Sequence, residues 1–413
     1  MTKKEIMEAA FKAWGREFYL DTSLSRVARE LNVCKPALYR HFRNKQALLD
    51  AMTVYFFDDF SAFVLPGYEK ALKCGDSGTS IFVLTGSVTE YYARNVLVFI
   101  FAMIKLHDHE QSGIKIYDEF RRRGIDLEFF SRSIMKNYDI PSLILRLSFA
   151  TLTFFMADFH KKGKSLAKPP SEAAITRIIT VIGAIIKRGL GYISDEIDVI
   201  DYEGLENRVT GVNAIEDDPL LKAVASAVAE AGPWEASMEQ VARRSGLSKS
   251  SLYYHFENKQ DMLYQLFKTE SQRIIDFARQ GIRQSAVPQE QLYLGIFSIT
   301  EYLRAKPDIL IALDWLRTRR PSLKPPEDEI DGPGYDFLWA FEEIDIKPLR
   351  NNGCPFNEAL GDEGRISPWI LFLIANTLMQ NNPGKMVKNV QNSDIRFLYR
   401  LITLGIGGFR SGE

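Results

Sequence analysis

The chain has very little to cross-link or ligate with. Three cysteines, Cys34, Cys74 and Cys354, stand among 413 residues without paired spacing. That excludes a disulfide framework and a CxxC-type metal or redox site, and it fits a reducing compartment. Long apolar runs are also missing: the richest stretches, such as Val96 to Ile104, fall short of the roughly 20 residues a membrane-spanning helix needs. The opening MTKKEIMEAAF is charged and amphipathic, whereas a secretion signal carries an uninterrupted apolar segment. A cytoplasmic protein with no membrane partner is expected. No nucleophile elbow, phosphate-cradling glycine loop, metal-ligand cluster or paired catalytic carboxylates can be found, so no catalytic residue, cofactor or metal is expected. An excess of either charge is absent too, the net charge being -1. Whole-chain neutrality does not exclude a nucleic-acid binder, because phosphate is met by a local basic patch.

What is present is one stretch, Ser23 to Leu49, reading SLSRVARELNVCKPALYRHFRNKQALL. Val27, Ala28 and Leu31 recur at helical spacing and lead into Asn32, a residue that tolerates the left-handed backbone of a tight turn. Val33 returns to the core. Pro36 suits the first turn of a helix, where its missing donor is harmless, so a second short helix begins near Lys35. Leu38 and Phe42, four apart, share the buried face. Pro36, Ala37 and Arg40 then point outward, with Tyr39 and His41 on the flanks. Asn44 is placed to cap a further helix through Leu48 and Leu49. Two short helices around a tight turn, the second with a polar outer face, form a helix-turn-helix whose outer face is a candidate reader of the DNA major groove. Arg26, Arg29, Lys35, Arg40, Arg43 and Lys45 make the basic patch around it.

The same device recurs 214 positions later, where Ser237 to Leu263 reads SMEQVARRSGLSKSSLYYHFENKQDML. Lys35, Leu38, Tyr39, His41 and Phe42 are matched without a gap by Lys249, Leu252, Tyr253, His255 and Phe256. Gly246 takes the turn position of Asn32, as left-handed backbone requires. The second basic patch is thinner: Arg243, Arg244, Lys249 and Lys259. An apolar stripe precedes each copy, Ile6, Ala9, Ala10, Ala13 and Trp14 in one, Leu220, Ala223, Val224, Ala227 and Val228 in the other.

After Leu49 the apolar pattern runs on through Val54, Phe57 and Phe60, and Pro66 with Gly67 is expected to end that helix. Helical segments are then predicted over Ile81–Tyr92, Val96–Leu106, Ile114–Phe130, Ser142–His160 and Ser171–Leu190. In the second half SITEYLRAK at Ser298 echoes SVTEYYARN at Ser87, and Ile370–Met379 with Asp394–Phe409 mirrors the last two helices of the first half. A unit of about 200 residues has therefore been duplicated, in keeping with the roughly two to three domains this length predicts. The boundaries drawn are 1–50 for the first head, 51–200 for the first helical domain, 201–216 for a polar, acidic linker, 217–264 for the second head and 265–413 for the second helical domain. The proline- and acid-rich stretch Arg319 to Gly334 is expected to be a mobile or a lid-like loop.

These motifs resemble the tetracycline-repressor (TetR) family of bacterial transcriptional regulators, over about 45 residues per copy and only by plan elsewhere. The resemblance implies an all-α fold: two units, each a three-helix DNA-binding head followed by a helical ligand-binding and dimerisation domain. By position it implies base-edge contacts from Lys35, Pro36, Ala37 and Arg40, and from Lys249, Ser250, Ser251 and Tyr254. Phosphate contacts are implied for Tyr39, His41, Lys45, Tyr253, His255 and Lys259, and for Ser23 and Ser237 at helix starts. Cys34 replaces the serine that usually caps the reading helix, while Ser248 keeps it. The family normally works as homodimers of one-head subunits, so a tandem chain is expected to act as a single-chain pseudo-dimer, with further pairing left open.

The function expected is a sequence-specific DNA-binding regulator, a repressor relieved by a small, largely apolar effector and reading an imperfectly palindromic double-stranded operator. Candidate pocket residues are Glu90, Tyr91, Phe101, Phe155, Tyr302, Trp315 and Trp339; buried aromatics are more often core, and Glu90-Tyr91 or its echo Glu301-Tyr302 reads equally as packing. His107, Asp108, His109 and Glu110 invite a metal reading, but a spacing of two suits a solvated helix end better. Cys34 reads as a redox switch or as a plain cap substitute. A second head that no longer binds DNA competes too, because Glu257 and Tyr254 stand where Arg43 and Arg40 do. The rival functions are a small-molecule-binding or protein-interaction protein with vestigial heads, or an enzyme using the helical cavity.

Overall fold

A computed structural model describes residues 2–17, 24–107, 116–136, 138, 141–162, 170–210, 218–318, 344, 366–379 and 390–409. Among these every regular element is a helix. Contacts divide the chain into two compact units, Met1–Ala184 with Arg410–Glu413, and Ile185–Phe409.

In the first unit, α1 (Lys3–Glu17), α2 (Leu24–Glu30) and α3 (Lys35–Tyr39) form the head, and α4 (Lys45–Leu72) leads out of it. Asn44 caps α4 as expected, its side chain accepting from Ala47 N–H at 2.8 Å. The body follows in α5 (Ser77–Arg94), α6 (Val96–His107), α7 (Ile116–Arg121), α8 (Leu127–Ile134), α9 (Pro141–Lys162) and α10 (Glu172–Arg188). α4 lies along α5, and Phe56, Phe57, Phe60, Tyr91 and Tyr92 fill the seam.

Three expectations are corrected here. Helix α4 does not stop at Pro66 and Gly67 but continues to Leu72. Pro66 faces solvent and removes only one intrahelical donor, while burial of Tyr68 and Ala71, and a 2.9 Å hydrogen bond from Tyr68 Oη to the Asp126 carbonyl, hold the last turns. Gly67 is a packing residue, since a Cβ there would lie 1.9 Å from Ser87 Oγ. The single helix expected over Ile114–Phe130 is two, α7 and α8, parted where Gly124 takes φ +90 and Asp126 caps α8. The apolar stretches are also not all too short to cross a bilayer. Pro141–His160 has the length and composition, but 56% of that window is buried inside the protein, as in a core helix.

The second unit repeats the order. Its head is α13 (Pro219–Glu235), α14 (Met238–Ser245) and α15 (Lys249–His255), followed by α16 (Lys259–Ile282), α17 (Pro288–Ala305), α18 (Pro307–Thr318), α19 (Ile366–Leu378) and α20 (Asn392–Leu404). The repeat extends to single contacts. Gly281 on α16 meets Ser298 on α17 as Gly67 meets Ser87, its Cβ position lying 2.0 Å from Ser298 Oγ. Tyr91 donates to Asp59 across α4 and α5 at 2.8 Å, and Tyr302 to the buried Glu270 across α16 and α17 at 2.7 Å.

The stretch expected as a linker is structured in its first part. Just before it α11 (Ser194–Ile197) buries Ile197 in the second unit, and within it α12 (Tyr202–Glu206) buries Leu205 in the same unit. Glu206 there accepts from Tyr293 at 2.5 Å, from Asn392 at 2.9 Å, and from Arg396 through Nε at 2.7 Å and Nη2 at 2.9 Å. Residues 211–217 and the predicted loop 319–334 lie outside the described residues.

Candidate nucleic-acid interface

Each head is built on the same turn. Val27 and Ala28 in α2, and Val241 and Ala242 in α14, are buried. Asn32 (φ +52) and Gly246 (φ +70) then take left-handed backbone. Val33 N–H reaches back to the Ala28 carbonyl at 2.9 Å, and Leu247 N–H to that of Ala242 at 3.0 Å. This six-residue closure satisfies helix-end carbonyls and sets the angle at which the following helix leaves. Leu38 with Phe42, and Leu252 with Phe256, are buried at 4% exposure or less, so the opposite faces of α3 and α15 turn to solvent.

On those faces Lys35, Pro36 and Arg40 are exposed and Ala37 is half-buried; Lys249, Ser250 and Ser251 are exposed, and Tyr254 is 90% exposed. On the flanks Tyr39, Tyr253 and His255 are exposed, and His41, Lys45 and Lys259 are half-buried. Lys35 Nζ sits 6.0 Å above the Tyr39 ring. Sequence reasoning missed Lys3, whose Nζ lies 5.8 Å over Phe42 and adds a cation at the end of the first reading helix. Its only signal was the charged start of the chain. Ser23 lies outside the described residues.

The caps differ as their residue types dictate. Ser248 Oγ accepts from Ser251 N–H at 3.0 Å and shares a 2.7 Å hydrogen bond with Ser251 Oγ. Cys34 has the same extended backbone (φ -78, ψ 148) and makes no side-chain cap; α3 has five residues and α15 seven. Ser237 closes a capping box on α14, accepting from Gln240 N–H at 3.2 Å while its own N–H donates to Gln240 Oε1 at 2.7 Å. In the second head Arg244 is paired with Glu230 on α13, which weakens that patch further. Sequence proximity gave no hint of this pair.

Each head's first helix docks on its body differently. Phe11 of α1 meets Phe101 of α6 edge-on, with ring centroids 5.1 Å apart, whereas Ser226 of α13 hydrogen-bonds Asp308 of α18. Phe101 therefore serves a head–body contact. Of the other candidate pocket residues, Tyr91 and Tyr302 are buried with hydroxyls committed to carboxylates, and Phe155 is buried. Burial and the neighbouring Asp59 carboxylate push the Tyr91 phenol above its ordinary range. Glu90 is half-buried and holds Arg94, which also grips Glu172 at the start of α10 at 2.7 Å. The Trp315 side chain, Trp339 and the motif at 108–110 fall outside the described residues.

The family model of the bacterial regulatory proteins, tetR family, matches this chain twice, at residues 6–52 and 220–266. The fatty acid metabolism regulator protein of Bacillus subtilis (strain 168) is 29% identical over 77 residues, 19% of this chain and 40% of that protein. An uncharacterized HTH-type transcriptional regulator of the same organism, YuxN, is 38% identical over 56 residues, 14% of this chain and 19% of that regulator. The chain thus spans less than half the length of either relative.

Proposed function

Since the chain belongs to the TetR family of bacterial DNA-binding transcriptional regulators, in a tandem form with two of the family's N-terminal regions, we propose that it is a repressor reading an asymmetric operator with both heads. The observation that carries this is the pair of exposed reading faces on α3 and α15, each held outward by buried leucine and phenylalanine behind it. In this reading Lys35, Pro36, Ala37 and Arg40, and Lys249, Ser250, Ser251 and Tyr254, meet base edges. Tyr39, His41, Lys45, Tyr253, His255 and Lys259, with Ser23 and the capping Ser237, hold phosphates. Arg40 has the planar fork that suits the guanine edge.

Phosphate contacts supply sequence-independent affinity that falls with salt, and the first head carries the larger basic patch around them. The faces are not equivalent, so the operator is not a perfect inverted repeat, and its half-sites are spaced by about one DNA turn, on the order of 34 Å, or a multiple. One chain supplies both heads, so the complex holds one chain per operator. The heads are taken at 1–50 and 217–264, each followed by its regulatory body, and residues 194–206 pack with the second body. An apolar effector of a helical body releases the DNA by binding the DNA-free conformation more tightly. The name of one relative, a regulator of fatty acid metabolism, makes fatty acids the first compounds to try.

Selection of duplexes from a random pool by the full chain, followed by mobility shift and solution mass of the complex, tests the reading. Recovery of one imperfect repeat bound by one chain supports it. A perfect inverted repeat, or no retardation of any duplex, overturns it.

A further inference from the structure

The two reading faces differ in what they can grip. The first offers the Arg40 guanidinium; the second offers no arginine, and its chemistry narrows on inspection. Ser251 Oγ already shares a 2.7 Å hydrogen bond with Ser248 Oγ inside the helix cap, so only part of its hydrogen-bonding capacity is left for a base edge. Lys249 and Ser250 stand in the first turn of α15. Tyr254, one turn on and in the position of Arg40, is the most exposed large apolar side chain among the described residues, at 90%. Its ring is perpendicular to that of His255, with centroids 5.7 Å apart, and its high exposure leaves it open to a partner. Behind it, Leu252 is fully buried and Phe256 2% exposed, so the ring is held off the protein rather than folded back onto it.

A phenol cannot make the two parallel hydrogen bonds that single out guanine. In the major groove the one apolar group on any base edge is the thymine C5 methyl. Burying an aromatic face against that methyl removes water from both, while a polar edge opposite the ring would be desolvated without a partner.

We propose that Tyr254 is a specificity-determining residue that reads a thymine methyl, so that the second half-site requires an A·T pair where the first presents a guanine to Arg40. This rests on the reading of both heads as DNA binders. The test uses a duplex selected by the full chain and replaces single thymines in the second half-site by deoxyuridine, which deletes only the methyl. One position is expected to weaken binding about fourfold, the value of one buried methyl-sized group. Replacing cytosine by 5-methylcytosine in a variant site carrying C there restores much of the loss. Tyr254→Ala abolishes the thymine–uracil difference, Tyr254→Phe keeps it, and both fold because the side chain is solvent-exposed. If the second half-site is protected in footprinting yet no uracil substitution changes affinity twofold, the proposal fails and the two-headed reading stands. If Tyr254→Ala leaves the uracil effect intact, the methyl is read by another residue and the proposal fails as well. Absence of any footprint over that half-site overturns both.

Discussion

Cys34→Ser is the sharpest test of the first head, because the backbone already has the geometry that the new oxygen would use. Cys34 sits at φ -78, ψ 148 and Ser248 at φ -72, ψ 156, so both are in the extended conformation an N-cap requires. At Ser248 the hydroxyl accepts from the amide three residues on; at the equivalent place in α3 the amide of Ala37 is served only by the Cys34 backbone carbonyl at 3.0 Å. Supplying a side-chain acceptor there is worth about 1 kcal/mol. A helix of five residues has little propagation to offset its nucleation cost, so that amount falls directly on the folded population of the reading helix. A contribution of about 1 kcal/mol corresponds to roughly fivefold slower exchange of the Ala37 to Arg40 amides. Where DNA binding completes the order of α3, affinity for the first half-site rises by up to the same factor. Hydrogen exchange of the free protein and titration with a half-site duplex measure the two effects, with Ser248→Ala expected to lose in the second head what Cys34→Ser gains in the first. Unchanged exchange in Cys34→Ser, alongside a clear loss in Ser248→Ala, would refute the argument that α3 lacks the contribution of a side-chain cap at Cys34.

Three further perturbations follow from the packing. Gly281→Ala forces a methyl to within 2.0 Å of Ser298 Oγ and should cost about 1–3 kcal/mol, read as a lowered unfolding midpoint; Ser298→Gly in the same chain should recover part of it. His160 is held neutral by burial, with its pKa lowered to about 4 although Nε2 lies 3.2 Å from the Tyr92 carbonyl. The unfolded chain binds that proton first, so the stability His160 contributes is present above about pH 6.5 and is lost as pH falls toward 4. The loss amounts to at most about 3 kcal/mol, and His160→Gln should flatten that part of a pH–stability profile. Glu206 is surrounded by Arg396, Tyr293 and Asn392, whose hydrogen bonds overcome its burial and hold its carboxyl below the usual range. Glu206→Ala removes the acceptor shared by those three partners, should cost about 1–3 kcal/mol, and should open residues 201–210 to limited proteolysis before the rest of the second unit.

Local chemistry was sufficient for much of this protein. The turn at Asn32 and Gly246, the start of α3 at Lys35, the Asn44 cap and the division of Leu38 and Phe42 from Arg40 all follow from interactions within a few residues, so they could be read in order along the chain. The duplication was legible for the same reason: a reading helix must keep its local pattern. What local chemistry could not weigh was competition from distant partners. Pro66 and Gly67 carry the marks of a helix end, yet burial of Tyr68 and Ala71 outweighs one lost donor, and Gly67 is needed where α4 touches Ser87. The acidic stretch after Asp201 looks like a linker because its partners, Tyr293, Asn392 and Arg396, stand far along the chain. The Tyr91 and Tyr302 hydroxyls, candidates for an effector pocket, are taken by carboxylates one helix away, and Arg244 is taken by Glu230. The sequence by itself determined the helices, the two heads and the outward faces they present, because those depend on spacing and caps. Only the tertiary structure decided which polar groups are already satisfied within the protein, because each depends on side chains brought together by folding.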